Sequence, residues 1–348
     1  MKNKYNIAVI GATGNTGMKT LEILEERKFP TDEVIAVASE KSAGKSVSFG
    51  DRPLRVQKIS DVDFSKIDIA IFCAGNEVSR RYAAAVTDAG CVVIDKASYF
   101  RLDPKVPLVI PEVNPDALKK GAPLGIIAAP NCITVPLAMT LKALSELSPI
   151  RRVVVSTYQS VSGAGRGAIN ELYNQNKTVI SAGAAQSEIF PKQIAFNVIP
   201  LVGSLYGSGV SSEEDKISCE IRKILKSDLK IVATCVRVPV FVGHSTSVAC
   251  EFAKPIHEEN VYDVFENAEG VVTLDRRNES GAFATPLDIQ GEDAVYVSRI
   301  RTDPTVKNGI LYWICSDNLR KGAALNSVQI AEFLISSDPK LKKFKKSS

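Results

Sequence analysis

Hydrophobic positions follow one rhythm in the first third of the chain and another afterwards. Continuous apolar runs come first: Ile7-Ala8-Val9-Ile10, Val34-Ile35-Ala36-Val37-Ala38, Ile67 to Cys73, Val92-Val93-Ile94 and Ile126 to Ala129. Helical or irregular segments separate them, and Met18, Leu21 and Leu24 after the first run share one helix face. Strands that are apolar throughout are buried on both faces, so the pattern predicts a doubly wound parallel sheet, an α/β fold. Beyond about residue 130 the strands lengthen and alternate, as in Arg152–Val161, Lys230–Val238, Ser247–Phe252 and Ala294–Ser298. Alternation implies a sheet with one wet or differently packed face, hence a second, α+β domain with a mixed or antiparallel sheet. A final helix, about Gly322 to Ile335, has Leu325, Val328, Ala331 and Phe333 or Leu334 at helical spacing. It needs a surface to pack on, and the first domain offers one.

Composition narrows the class. A chain of 348 residues is too long for one ordinary core, and 45% hydrophobic with 24% charged residues is that of a globular protein. The net charge of +4 owes much to Lys340, Lys342, Lys343, Lys345 and Lys346, read as a solvated, frayed basic tail over 341–348. No basic stripe with interleaved aromatics appears elsewhere, so neither nucleic acid nor membrane is expected as a partner. Met1 to Tyr5 run straight into a strand, which predicts no secretory signal, and no apolar stretch reaches the roughly 20 residues of a membrane span. Seven cysteines without C-x-x-C spacing argue against disulfides or a zinc cluster, and two histidines exclude a histidine-rich metal site. The expected location is cytoplasmic, and no metal is expected.

Two stretches carry chemistry. Gly11-Ala12-Thr13-Gly14-Asn15-Thr16-Gly17 joins the first strand to an amphipathic helix. Small residues there let the backbone approach a pyrophosphate, and the helix N-terminus supplies N–H donors. At the end of the second strand, Ser39, Lys41 and Ser42 suit a 2′-phosphate and so favour NADP, while Glu40 is awkward for it. Cys132 follows a buried-type strand and precedes a helix-like segment, a setting that favours thiolate. The other cysteines read as structural.

Seven motifs in order, the Gly11–Gly17 loop, Ser98-Tyr99-Phe100-Arg101, Pro130-Asn131-Cys132, Gln159 to Gly165, Glu213-Glu214-Asp215-Lys216, Arg237 to Ser245 and Asp317 to Ala324, mark a resemblance to the aspartate-semialdehyde dehydrogenases over essentially the whole chain. The resemblance implies a Rossmann-type doubly wound NADP-binding domain plus an α+β glyceraldehyde-3-phosphate-dehydrogenase-like catalytic and dimerisation domain. The expected bounds are 1–131, completed by a C-terminal helix over 318–340, and 132–317. It implies reversible, NADPH-dependent reductive dephosphorylation of L-4-aspartyl phosphate to L-aspartate 4-semialdehyde and phosphate by a homodimer. That reaction feeds lysine (through diaminopimelate), methionine and threonine synthesis.

The chemistry gives each motif a task. Cys132 displaces phosphate to leave a thioester, and a base with pKa near neutrality should stand beside the sulfur. His244, after a strand end beside Gly243, suits that base better than His257, which resembles a helix start with carboxylate neighbours. Gln159 would orient the substrate or the His244–Cys132 pair. By the resemblance, Arg101 and Lys216 hold the phosphate, Arg237 the α-carboxylate, and Glu213, or Glu220 in its place, the α-ammonium, with Asn131 also at the substrate. Ala74, Gly75, Ser162, Gly163 and Asn318 join Gly11, Thr13, Gly14, Asn15 and Thr16 as cofactor contacts. Asn76-Glu77 departs from the family's usual glycine and serine, which puts contacts there in question. N-acetyl-glutamyl-phosphate reductase is the nearest enzymatic alternative, but its acylated amine has no use for a carboxylate partner. A non-catalytic NADP-binding paralogue should have lost Cys132 or His244.

Overall fold

In the computed structural model, which describes residues 4–346, the early apolar runs form one sheet. Its strands are β1 (Tyr5–Ile10), β2 (Thr31–Ala38), β5 (Gln57–Lys58), β6 (Ile69–Phe72), β7 (Val92–Asp95) and β8 (Ile126–Ala128). A small hairpin, β3 (Ser46–Phe49) and β4 (Arg52–Arg55), stands apart from it. The order is β5-β2-β1-β6-β7-β8 with every pair parallel. Each residue of β6, β7 and β8 is buried, as continuous apolar runs require. The order reverses between β1 and β6, and at their carboxyl ends the chain turns into helices α1 (Asn15–Glu26) and α2 (Asn76–Asp88). This is the crevice where doubly wound sheets bind nucleotides.

Two glycines make the first turn possible. Gly11 has φ +87°, and a Cβ there would stand 2.7 Å from the Cys73 carbonyl oxygen. A Cβ on Gly17 would overlap the Gly11 carbonyl, so only glycine lets α1 lie this close to the loop.

The chain divides into two units, Cys132–Gly322 and the remainder, so the stretch from Ala323 belongs with residues up to Asn131. The C-terminal helix, Leu325–Ser337, follows a π-helical turn over Arg320–Ala324. Its Leu325, Val328, Ala331 and Leu334 join Ile7, Ile71 and Ile94 in the first unit's core. The expectation of a frayed tail from 341 is corrected here. Leu341 and Phe344 are buried in the same core, while Ser347 and Ser348 lie outside the described residues. Counting lysines hid two apolar anchors three residues apart.

The second unit holds β9 (Ile150–Gln159), β10 (Lys230–Arg237), β11 (His244–Phe252), β12 (Val271–Thr273), β13 (Val295–Thr302) and β14 (Gly309–Ser316). Their order is β10-β9-β11-β14-β13-β12, parallel at both edge pairs and antiparallel between. Helices α3 (Thr134–Ser145), α5 (Ser212–Leu225) and α6 (Glu258–Glu266) pack on it, and α4 (Arg166–Ile180) lies beyond β9. Burial alternates along β9, β10 and β11, leaving Tyr158 on β9 and Val232 on β10 exposed. The sheet is therefore mixed with one covered face, as the alternation predicts. The stretch read as strand through Val161 stops at Gln159, because Val161–Ala164 turns as a 3-10 helix.

Candidate active site

The first unit's crevice is a cavity of about 910 Å³ at the carboxyl ends of β1, β2 and β6. Of the anticipated cofactor residues, Gly11, Thr13, Gly14, Ser39 and Ala74 line it, whereas Asn15, Thr16, Lys41, Ser42 and Gly75 are not among its walls. Helices α1 and α2 begin after Gly14 and Gly75 without side-chain caps, so their first N–H groups face the turn. Small walls, uncapped helix starts and a buried Asn15 Nδ2 without a hydrogen-bond partner fit a dinucleotide. Sequence reasoning missed the cations that face the cavity: Lys58, Arg80 and Arg81. Lys58 pairs in register with Ala38 and reaches Glu40 at 3.4 Å, which turns the awkward acid toward a cation. A two-residue strand carries no readable pattern, so nothing in the sequence signalled Lys58.

The Asn76-Glu77 departure has its own uses. Asn76 Oδ1 accepts from the Ser98 backbone N–H at 2.9 Å, and Glu77 pairs with Arg80 at 2.7 Å. Nearby, Arg101 is buried and donates from Nε to the Ala129 carbonyl at 3.0 Å and from Nη2 to the Lys96 carbonyl. Lys96 Nζ donates to the Pro130 carbonyl at 2.9 Å, and Asn131 is buried. Two cations thus hold the end of β8 just before Cys132. Beneath them Asp95 accepts from Ser79 Oγ and the Ala97 N–H, each at 2.9 Å, and burial pushes its pKa up to about 6.

In the second unit Cys132 is half-buried, two residues before α3, whose first turn has no side-chain cap. Gly322 lies so close that a Cβ there would be 3.0 Å from that of Cys132. Burial pushes each of the other six thiols upward, Cys235, Cys250 and Cys315 to about 12. They are protonated and inert at neutral pH.

Around Cys132 the strand ends deliver buried polar groups. Arg237 closes β10, its guanidinium donating to the Ser160 carbonyl at 2.6 Å and lying 5.9 Å from the Phe190 ring. Burial lowers its pKa, while charge on Cys132 and Glu213 works the other way. Gln159 closes β9, donating from Nε2 to Glu213 Oε1 at 3.1 Å and accepting from Thr157 at 3.2 Å. Glu213 is 3.5 Å from Lys216, one turn along α5. Gln159 therefore orients Glu213 in this structure, where the sequence reading gave it the substrate or the His244–Cys132 pair. Glu220 is buried on the same helix. Glu214 is the capping-box partner of Ser211 and also accepts from the Cys235 N–H, a folding role.

His244 opens β11 after Gly243, whose φ of +96° turns the chain in. It is buried, its Nδ1 accepts from the Ser160 backbone N–H at 3.0 Å, and its Nε2 has no hydrogen-bond partner. Burial, then the Arg237 charge, push its pKa down to about 3. His257 is exposed and stands at the N-cap position of α6 without a side-chain capping bond. Gly163 lies under the ring: a Cβ there would be 3.1 Å from His244 Nε2 and 3.2 Å from Arg237 Nη1. Ser162 and Asn318, expected at the cofactor, are tied into this site. Asn318 Oδ1 accepts from Ser160 Oγ and Ser162 Oγ at 3.1 Å and from the Gly243 N–H at 2.9 Å. No group of three or more potential metal ligands occurs among the described residues, nor any helix there long and apolar enough to cross a membrane.

Comparison with known proteins matches residues 6–121 to the semialdehyde dehydrogenase NAD binding domain and 141–321 to the semialdehyde dehydrogenase dimerisation domain. An aspartate-semialdehyde dehydrogenase of Rickettsia conorii is 52% identical, covering 97% of this chain and 99% of its own. That of Aquifex aeolicus is 44% identical over 95% and 98%. Among solved structures, aspartate semialdehyde dehydrogenase II of Vibrio cholerae, complexed with ASA, superposes with TM-score 0.93 at 42% identity over 96% and 99%. The Candida albicans enzyme with NADP gives 0.72 at 25% identity over 95% and 98%. The domain models imply a pyridine nucleotide cofactor, and with relatives of this identity over nearly full length the chain belongs to the aspartate-semialdehyde dehydrogenase family.

Proposed function

We propose that the protein carries out NADPH-dependent reductive dephosphorylation of L-4-aspartyl phosphate to L-aspartate 4-semialdehyde, reversibly, through a thioester on Cys132. The observation that carries this reading is the buried set Arg237, Glu213 and His244 beside a cysteine at an uncapped helix start. A buried cation and a buried carboxylate suit the two charges of a free α-amino acid. An N-acylated substrate would bring Glu213 no ammonium to add to its Lys216 pair at 3.5 Å, which disfavours the reductase alternative.

The nucleotide supplies or accepts the hydride when bound. The chain's own residues do the rest. The thiolate of Cys132 attacks the acyl phosphate carbon, the C–O bond to phosphate breaks, and phosphate leaves with the electron pair. Arg237 would hold the α-carboxylate by a planar fork, Glu213 the ammonium, and Arg101 and Lys216 the phosphate, with Asn131 at the reacting end. Gln159 positions Glu213, and His244 attends the carbonyl oxygen as charge develops there.

For NADP over NAD the support is the basic wall of Lys58, Arg80 and Arg81 and the Lys58–Glu40 pair, together with the Candida neighbour solved with NADP. Thr13, Gly11 and Gly14 would meet the pyrophosphate. Ser39, with Lys41 and Ser42 behind it, would meet the 2′-phosphate. Asn15, Thr16, Ala74, Gly75, Ser162, Gly163 and Asn318 complete the expected cofactor set. The half-exposed sheet face and the dimerisation-domain match support a homodimer. Cytoplasmic lysine (through diaminopimelate), methionine and threonine synthesis is the matching setting.

The test is phosphate-dependent reduction of NADP by aspartate semialdehyde, run beside N-acetylglutamate semialdehyde. Turnover of the second substrate alone would sink the reading. Replacing Cys132 by Ala should lower kcat by at least about a thousandfold with NADP affinity unchanged. Retained turnover in that variant would remove the covalent route.

A further inference from the structure

We propose that Lys58, and not Lys41, sets the nucleotide preference: it draws the Glu40 carboxylate aside and supplies the cation for the 2′-phosphate. The inference rests on the reading above that NADP is the cofactor, and deepens it to one residue and one ion pair.

Glu40 creates the need. An acid just past the second strand of a dinucleotide fold accepts hydrogen bonds from the ribose hydroxyls, which is the NAD arrangement. The same carboxylate repels a 2′-phosphate, a monoester with close to two negative charges at neutral pH. Glu40 lies two residues beyond the end of β2 and lines the cavity, so on its own it would select against NADP. The sequence sets Ser39, Lys41 and Ser42 against it, and the structure divides them. Ser39 lines the cavity beside Glu40, whereas Lys41 and Ser42 are not among its walls. Glu40–Ser42 is one turn of 3-10 helix. At three residues per turn successive side chains point about 120° apart, so the turn that aims Glu40 at the cavity aims Lys41 elsewhere. Ser42 Oγ accepts from Thr13 of the glycine loop at 3.5 Å, which braces the turn.

The sheet brings Lys58 to the same spot. β5 runs parallel to β2 with Lys58 opposite Ala38, directly before Ser39 and Glu40. Lys58 lines the cavity, and its Nζ stands 3.4 Å from Glu40 Oε1, the one partner of that ammonium among the described residues. Both side chains are exposed, so the contact is weak and holds neither group tightly. An ammonium has three donors and no fixed plane, and can therefore keep Glu40 while it meets a phosphate. The cavity's other two cations are placed differently. Arg80 is bound to Glu77 at 2.7 Å and Arg81 lies over the Tyr82 ring at 5.1 Å, both on α2, which follows β6. Of the three, Lys58 is the one tied to the end of β2, where a dinucleotide fold reads the ribose.

Fluorescence titration of the full-length protein with NADPH and with NADH reads the preference without turnover. The unsubstituted protein should bind NADPH more tightly. Lys58→Met should weaken NADPH at least about tenfold while NADH affinity does not fall, because the freed Glu40 accepts from the 2′-hydroxyl. Lys41→Met should move the NADPH-to-NADH ratio by less than about threefold. Lys58→Arg should keep the preference, and Glu40→Gln added to Lys58→Met should recover part of the NADPH binding. A Lys58→Met protein with the parent's ratio would overturn the assignment, including one in which both nucleotides weaken equally because β5 is disturbed. A Lys41→Met loss as large as that of Lys58→Met would overturn it too, and a double variant no better than Lys58→Met would remove the part given to Glu40. Failure of the cofactor reading shows separately. Tighter NADH than NADPH binding by the unsubstituted protein removes that reading, whereas an NADPH preference that survives Lys58→Met removes only the role of Lys58.

Discussion

Gly163 is where the smallest change should cost most in the catalytic unit. It has space for a hydrogen and not for a methyl group, because His244 Nε2 and Arg237 Nη1 stand 3.1 and 3.2 Å from where a Cβ would be. Both rings of atoms are buried and fastened by Ser160, so neither yields freely. Gly163→Ala should lower kcat/KM at least about tenfold while thermal unfolding moves by only a few degrees. An unchanged kcat/KM would mean that the two side chains are softer than their contacts imply. His244 also sets an acid sensitivity. Its folded pKa of about 3 lies below that of the unfolded chain, so the unfolded state binds the proton first and stability falls as pH drops below about 6.5. Asp95 opposes it: held near 6, it gains a proton in the folded state first and adds stability on the acid side. Urea unfolding at pH 7 and pH 5 should show His244→Gln losing about 2 kcal/mol less than the parent over that interval. Equal losses would place the ring's folded pKa much nearer to normal.

The elements divide by how much of themselves they write into the sequence. Strands β1, β6 and β7 are apolar on both faces and could be read directly, and so could the glycine turn that only a close helix explains. β5 could not, being two residues long, and Lys58 went with it. Helix α4 shows a second kind of illegibility. Its Glu171 carboxylate accepts the N–H groups of Glu188, Ile189 and Phe190, and its Gln175 Oε1 those of Ile194 and Ala195. Those two side chains clasp an irregular stretch that brings Phe190 under Arg237. Partners twenty residues apart in a loop have no periodicity to announce them. Cys132 was legible because strand, cysteine and helix are consecutive, whereas the Ser160–Asn318 contact joins residues 158 positions apart. The C-terminal segment supplies the prediction at this scale. Phe344 is fully buried, so Phe344→Ala should destabilise the first unit by about 3 kcal/mol, whereas Lys342→Ala and Lys343→Ala should stay within about 0.5 kcal/mol. Chemical denaturation followed by NADP binding would test this, and equal effects from all three would restore the frayed tail.

At the scale of the whole molecule, the second sheet covers one face with helices and leaves Tyr158 and Val232 exposed on strands β9 and β10. Tyr158 packs against Trp313 of β14, ring centroids 5.3 Å apart and tilted by 39°. Under the homodimer proposed above, this partly apolar face is the one that would meet the second copy. Val232→Asp should convert a dimer into a monomer in sedimentation velocity, and a dimer that persists would put the interface elsewhere. One further property follows from the chain's path. The first unit takes its last core residues, Leu325 to Phe344, from the far end of the sequence, after all 191 residues of Cys132–Gly322 have been made. During synthesis the first unit's sheet must therefore wait with one flank of its core open, although it emerges before the second unit. Ribosome-bound chains ending before residue 323 should be able to form the second unit but not a protease-resistant first one. The nucleotide-binding half, begun before the second unit, is finished only after it.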